Sequence, residues 1–146
     1  MANPRADVRF TEVLLKSLTF LRKKTSTGAI DFLWSPTNPY PVAKSTQIGF
    51  SAAVDSARTA KYGAAGDILL GQVADADTDT VVINVQGGLT FSVVNDATVP
   101  VIGRGVVCDG AGGVRIAASG SEWKERGIVV DLDTTALTAV VLLLGN

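Results

Sequence analysis

Histidine is absent from this chain of 146 residues. A serine or cysteine nucleophile that relies on an imidazole base therefore has no base to use. Cys108 is the only cysteine, so no disulfide can form within the chain and no metal site can be built on several thiolates. A zinc site would have to combine carboxylates with one thiolate, a poor ligand set for that ion. Charged residues make up 18% of the chain and the formal net charge is −1, which does not suit a protein that works by coating nucleic acid. The longest apolar run, ALTAVVLLL at 136–144, is about half of the ~18 residues a membrane span needs. The opening MANPRADVRF lacks the apolar stretch of a secretory signal. The expectation is a soluble protein made in a reducing compartment, with neither a membrane nor direct nucleic acid as partner.

Apolar residues reach 47%, with fifteen glycines and many Ala, Val and Thr. That composition favours strands and turns over helices. The length suits one domain, or one domain with an arm, able to bury roughly two thirds of its unfolded surface. Charge is unevenly placed. Residues 1–62 hold nine Lys/Arg against four Asp/Glu, and residues 63–146 hold four against ten. This is either drift in composition between an arm and a domain, or a basic part lying on an acidic surface.

The stretch VRFTEVLLKSLTFLRKK (8–24) carries two patterns. Leu14, Leu18 and Leu21 recur at helical spacing, yet SLTFLRKK, TSTG and AIDFLW also read as two strands about a turn, the reading favoured here. Arg22, Lys23 and Lys24 are either a solvated charge run or a contact for an acidic partner. SPTNPYPVAK (35–44) has three prolines within six positions and reads as an extended connector. SAAVDSARTAKYGAAGD (51–67) is weakly patterned, and with it the division falls between an N-terminal arm, 1–62, and a compact unit, 63–146.

Within 63–146 the alternation is clear. DILLGQVA (67–74) reads as a strand; TVVINVQ (80–86) and LTFSVV (89–94) flank Gly87-Gly88, a strong hairpin signal. IVVDLD (128–133) and LTAVVLLL (137–144) follow. The fold class expected is all-β, a small antiparallel barrel or sandwich of about eight to ten strands preceded by an extended N-terminal arm. Apolar residues on both faces of 139–144 put one face in the core and the other against a neighbouring chain or the N-terminal region.

GRGVVCDGAGGVRIAA (103–118) has five glycines in its first eleven positions, which raises the question of a phosphate-binding loop. Gly103 and Gly105 match two places of a dinucleotide fingerprint, but Cys108 stands at the third and the following residues are strand-like. No Gly-Lys-Ser or Gly-Lys-Thr occurs. The residues read as strand RGVVC, turn DGAGG and strand VRIAA. Asp75, Asp77 and Asp79 alternate in DADTDT, but Thr80 and Gln86 stand where a calcium loop has Gly and Glu, so a solvated turn is expected. Glu122 and Glu125 in GSEWKERG sit in a polar connector beside Trp123, an anchoring aromatic more than a sugar platform. No catalytic residues, cofactor or metal are assigned.

The order AAGDILLGQV, DTVVINVQGGLTFSV, IGRGVVCDGAGGVRIAA and RGIVVDLDTTALTAVVLLLGN resembles that of the small β-barrel decoration (cement) proteins on the capsids of tailed bacteriophages. Gly105, Val106, Asp109, Gly127, Ile128 and Gly145 occupy the punctuating places of that pattern. The match covers 63–146, slightly more than half the chain, and residues 1–62 exceed the family's short lead-in. The resemblance implies a structural virion protein made in the host bacterial cytoplasm, not an enzyme. It would bind the outer capsid surface and bridge neighbouring major capsid subunits, most often as a homotrimer, with no small-molecule substrate. Phe32, Trp34 and Tyr40 are then the candidate capsid anchors, with Arg22, Lys23 and Lys24 as charge complements. Val141, Leu143 and Trp123 are the candidate oligomer contacts. Rival readings are a head-fibre base, a tail or baseplate component, and a carbohydrate-binding module using Trp34, Tyr40 or Trp123.

Overall fold

The computed structural model describes residues 16–23, 49–77 and 79–144. These residues form nine strands and one short 3-10 helix, with no α-helix among them. The strands are β1 Lys16–Arg22, β2 Ser51–Ser56, β3 Thr59–Tyr62, β4 Gly71–Ala76, β5 Thr80–Ser92, β6 Val107–Cys108, β7 Val114–Arg115, β8 Ile128–Asp133 and β9 Thr138–Leu143. The fold is all-β, as the alternation implies.

Five strands close a barrel. β1, β3, β2, β4 and β5 follow one another, and β1 returns to pair with β5. All these pairs are antiparallel except β1 with β3, where Leu21 and Arg22 lie beside Thr59 and Ala60. Closure removes sheet edges that would otherwise invite another chain. β9 pairs with the second half of β5, and β8 with β9, making a wing beyond the barrel. β6 and β7 form a separate short hairpin.

Two cores result. Phe50, Ala52, Ala60, Val73, Val81 and Ile83 fill the barrel. Leu89, Phe91, Val129, Ala139, Val141 and Leu143 pack beneath the wing with Val106, Cys108 and Val114. β5 serves both, with Val81 and Ile83 in one and Leu89 and Phe91 in the other.

The hairpin expected at Gly87-Gly88 does not form: β5 runs unbroken through both glycines, with Gly87 at φ 121°. A two-residue hairpin would place Val85 opposite Thr90 and Ile83 opposite Ser92, sending the two apolar triplets to opposite faces. A continuous strand keeps Val81, Ile83, Leu89 and Phe91 on one side. Gly87 supplies the left-handed φ where the strand changes partners.

Segments assigned to the arm also contribute to the sheet. β1, β2 and β3 lie within 1–62 and are hydrogen-bonded into the ring that holds β4 and β5. The β2–β3 turn falls at Ala57-Arg58, with Arg58 at φ 62°, so it lacks the Gly or Asn that usually marks such a turn. The expected strand at 67–74 is set later, as β4.

The hairpin reading of the glycine-rich stretch holds. Val107 and Cys108 pair with Arg115 and Val114. The Asp109 carboxylate caps the turn, accepting from the N–H groups of Ala111 at 2.7 Å and Gly113 at 2.9 Å. Gly110 and Gly112 sit at φ 86° and 92°. The Gly112 carbonyl accepts from the Ser51 N–H at 2.9 Å, tying this turn to β2.

Candidate functional site

Among the described residues there is an open groove of about 1000 Å³, walled by β1, β2, the 66–70 loop, the middle of β5, residues 124–128 and the end of β9. It lies where the barrel and the wing adjoin, since Ala53, Leu69 and Leu143 of the wing core also line it. Leu70 and Val85 pack against the barrel core and also line the groove. Leu18 shares a face of β1 with Phe20, which packs against the same core.

The groove wall is aliphatic and open to solvent. Leu18 is 44% exposed, Val54 58%, Ile68 37%, Ile128 42% and Leu144 55%, and all five belong to this wall. Single exposed aliphatics are ordinary, but a contiguous set around one concavity is the mark of a contact surface. The end of the last strand and the residue after it supply part of it, since Leu142, Leu143 and Leu144 line the groove, with Leu143 belonging also to the wing core beside Ala139 and Val141.

The rim is basic. Lys16, Lys124 and Arg126 reach the groove, and the acid there is Asp67, held by Lys61 Nζ at 2.8 Å. Lys124 Nζ lies 5.5 Å from the Trp123 ring centroid, and Arg126 Nη1 donates to the carbonyls of Trp123 at 3.1 Å and Glu125 at 3.0 Å. With Asp67 neutralised by its own partner, the field at the rim is positive and suits an anionic, apolar ligand.

The candidate contacts named from sequence scatter. Arg22 is buried, its guanidinium donating to the Asp77 carbonyl and its N–H to the Asp79 carbonyl at 2.9 Å. Burial lowers its pKa, against the attraction of Asp77. Arg22 thus ties β1 to the β4–β5 turn and does not face a partner. Lys23 is half-exposed, 3.2 Å from Asp55. Lys24, Phe32, Trp34 and Tyr40 lie outside the described residues. Val141 and Leu143 pack in the chain's own core, on a β9 that is paired on both sides, and Leu143 also lines the groove. Trp123 is 68% exposed and free to meet a partner.

Other reactive groups are committed to structure. Cys108 is fully buried, and burial, with the nearby charges of Asp67 and Asp109, pushes its pKa up to about 12, so it stays a thiol. Glu125 accepts from Arg104 Nη2 at 2.6 Å and from the Ala117 N–H at 3.2 Å, locking two loops together. The aspartates of DADTDT flank a turn in which the Asp77 N–H donates to the Thr80 carbonyl at 2.8 Å. Among the described residues no cluster of His, Cys, Asp or Glu is arranged to hold a metal, and no helix is long and apolar enough to cross a membrane.

Lys16, Leu18, Val54, Ile68, Lys124 and Arg126 were not legible as a site, because they come together only when β1 and β2 meet the 66–70 loop and residues 124–128 in the folded chain. The one forward signal was the apolar second face of 139–144. Comparison with protein-family models, curated proteins and solved structures finds no match.

Proposed function

We propose that this chain is a structural virion protein that binds the outer surface of a tailed-phage capsid and cements neighbouring major capsid subunits, working as a homotrimer. The observation that carries the proposal is the groove of about 1000 Å³, an aliphatic surface with a basic rim on a barrel whose polar residues are tied into turns and loops. That chemistry suits adhesion. The sequence resemblance over 63–146 supplies the setting, because it spans strands β4 to β9, two of the five barrel strands and the whole wing.

The energetics follow from linkage. A ligand that binds only the assembled shell stabilises it by RT ln(1 + [L]/Kd), about 2.7 kcal/mol per site at a hundredfold excess over Kd. Repetition over many equivalent sites then turns a modest term into a large one for the particle.

Particles from the same source, imaged with and without the protein and then heated, test the proposal. Density on the outer shell at subunit junctions and earlier rupture of bare heads are expected. Density confined to tail or baseplate, or equal heat resistance of bare heads, refutes it. Binding of the isolated protein to a glycan array would instead favour the carbohydrate-binding reading, with exposed Trp123 as platform.

A further inference from the structure

We infer that the groove of one copy seats the acidic β8–β9 turn of a second copy, in a head-to-tail contact. This names the groove's occupant and so rests on the adhesive reading above. The groove asks for aliphatic side chains accompanied by carboxylates. Elsewhere on the chain, the turn after β8 presents that combination. Asp131 and Asp133 are exposed there, beside Val130 at 47% and Leu137 at 41% exposure. Val94, 51% exposed, belongs to the same end, since the Val93 N–H donates to the Leu137 carbonyl at 3.0 Å.

The turn is built to hold its shape. Asp133 Oδ1 accepts from the N–H groups of Thr135 and Ala136, each at 2.9 Å. Leu137 then takes φ 56°, a left-handed conformation that costs a residue with a Cβ roughly 1–2 kcal/mol and that Gly or Asn usually fills. Leu137 is held in that conformation at 41% exposure and belongs to neither core of the described residues.

The two surfaces lie at opposite ends of β8. Ile128, its first residue, lines the groove, and Asp133, its last, opens the turn. Six residues at about 3.3 Å each put them about 17–20 Å apart along the strand. A copy therefore cannot fill its own groove with its own turn. The contact is heterologous: it leaves one groove and one turn open at the ends of any open assembly, and it closes only as a ring.

The test uses two full-length variants and sedimentation velocity. Lys16→Glu with Lys124→Glu reverses the groove rim. Asp131→Lys with Leu137→Gly disarms the turn, and glycine at φ 56° relieves strain, so loss of association cannot be ascribed to misfolding; circular dichroism and thermal melting verify both folds. Wild type is expected to associate, and each variant to weaken association about tenfold or more. An equimolar mixture of the two variants is expected to form dimers and nothing larger, because only one intact groove and one intact turn can meet. A monomeric wild type, unaffected variants, or a mixture that stays monomeric overturns the inference. Capsid binding by the same variants is measured separately. Loss of shell binding by the groove variant, with a monomeric wild type, would show a capsid segment in the groove and leave the adhesive reading standing.

Discussion

Phe91 stands on the half of β5 that has left the barrel, fully buried beneath the wing, while Ile83, equally buried, stands on the half that remains within it. Because one strand carries both, the two cores are expected to unfold together. Phe91→Ala removes a buried ring and leaves a cavity, a loss of about 3–5 kcal/mol, set against a total stability of about 5–15 kcal/mol for a domain of this size. Ile83→Ala is expected to cost about 2–5 kcal/mol. With a urea m-value of about 1–3 kcal/mol/M, Phe91→Ala lowers the midpoint by one to several molar, on the order of the whole accessible range. The two sites are eight residues apart on an extended strand, about 26 Å, so their costs should add within about 0.5 kcal/mol. The assay is urea unfolding followed by circular dichroism, paired with amide exchange across β1 to β5. One transition in every variant, with exchange protection of the barrel falling in step when only Phe91 is changed, is the expected result. A second transition, or barrel amides that keep full protection in Phe91→Ala, would refute the coupling and make the wing an independent unit.

Gly112→Ala places a Cβ into the Phe50 ring at a φ of 92°, and should cost about 2–5 kcal/mol in chemical unfolding; Gly103→Ala, at φ 88° with open space around it, should cost only the backbone strain, about 1–3 kcal/mol, and equal losses would contradict the overlap. Glu125→Gln weakens the bonds from Arg104 and Ala117, and a loss of about 1–2 kcal/mol is expected from the thermal melt, given that the Arg104 side is 42% exposed. Alkaline pH should destabilise the fold through Cys108, whose pKa is raised from 9.0 to about 12, and Tyr62, raised from 10.0 to about 12, mainly by burial. The unfolded chain loses these protons first, so the Cys108 contribution is complete below pH 9 and declines between about 9 and 12, by up to about 1.4 kcal/mol per pH unit. The Tyr62 contribution declines between about 10 and 12 with a smaller slope, because solvent screens that part-exposed group. Cys108→Ala and Tyr62→Phe should each flatten that slope, and a slope unchanged in both variants would exclude these groups as its source.

The strand content and the short β6–β7 hairpin were legible because their signals are local: alternation for β8 and β9, and glycines with a capping aspartate for the turn at 109–113. The barrel was not. β2 and β3 meet at a turn whose left-handed residue is Arg58, and no turn rule flags arginine there. β1 joins through a parallel pairing with β3, a long-range choice that periodicity does not encode. Gly87-Gly88 misled for a different reason. Dipeptide identity favours a hairpin, whereas side-chain parity favours a through-strand, and burying Leu89 and Phe91 with their odd-numbered partners outweighs a turn preference. The same parity, counted along β9 from Ala139, puts Val141 and Leu143 in the core, with Leu142, Leu143 and Leu144 together at the groove.

Barrel closure and the groove are linked by geometry. Each strand of the five-strand ring has a neighbour on both sides, although β1 meets β3 only at Leu21 and Arg22, and this disfavours joining another chain by adding a strand to the barrel. Along β8 the outer edge is also partly capped, since the Val129 N–H donates to the Arg104 carbonyl and the Val129 carbonyl accepts from the Gly103 N–H, both at 2.8 Å. With backbone pairing largely closed off, association has to run through side chains. Among the described residues, Leu18, Val54, Ile68, Ile128 and Leu144 are exposed at the groove beside cations, and Val94, Val130 and Leu137 at the β8–β9 end beside carboxylates, while Leu21, Val101, Ile102 and Trp123 are exposed elsewhere. A contact made this way is driven by aliphatic burial and oriented by charge. Raised salt should therefore slow its formation more than it weakens the formed contact.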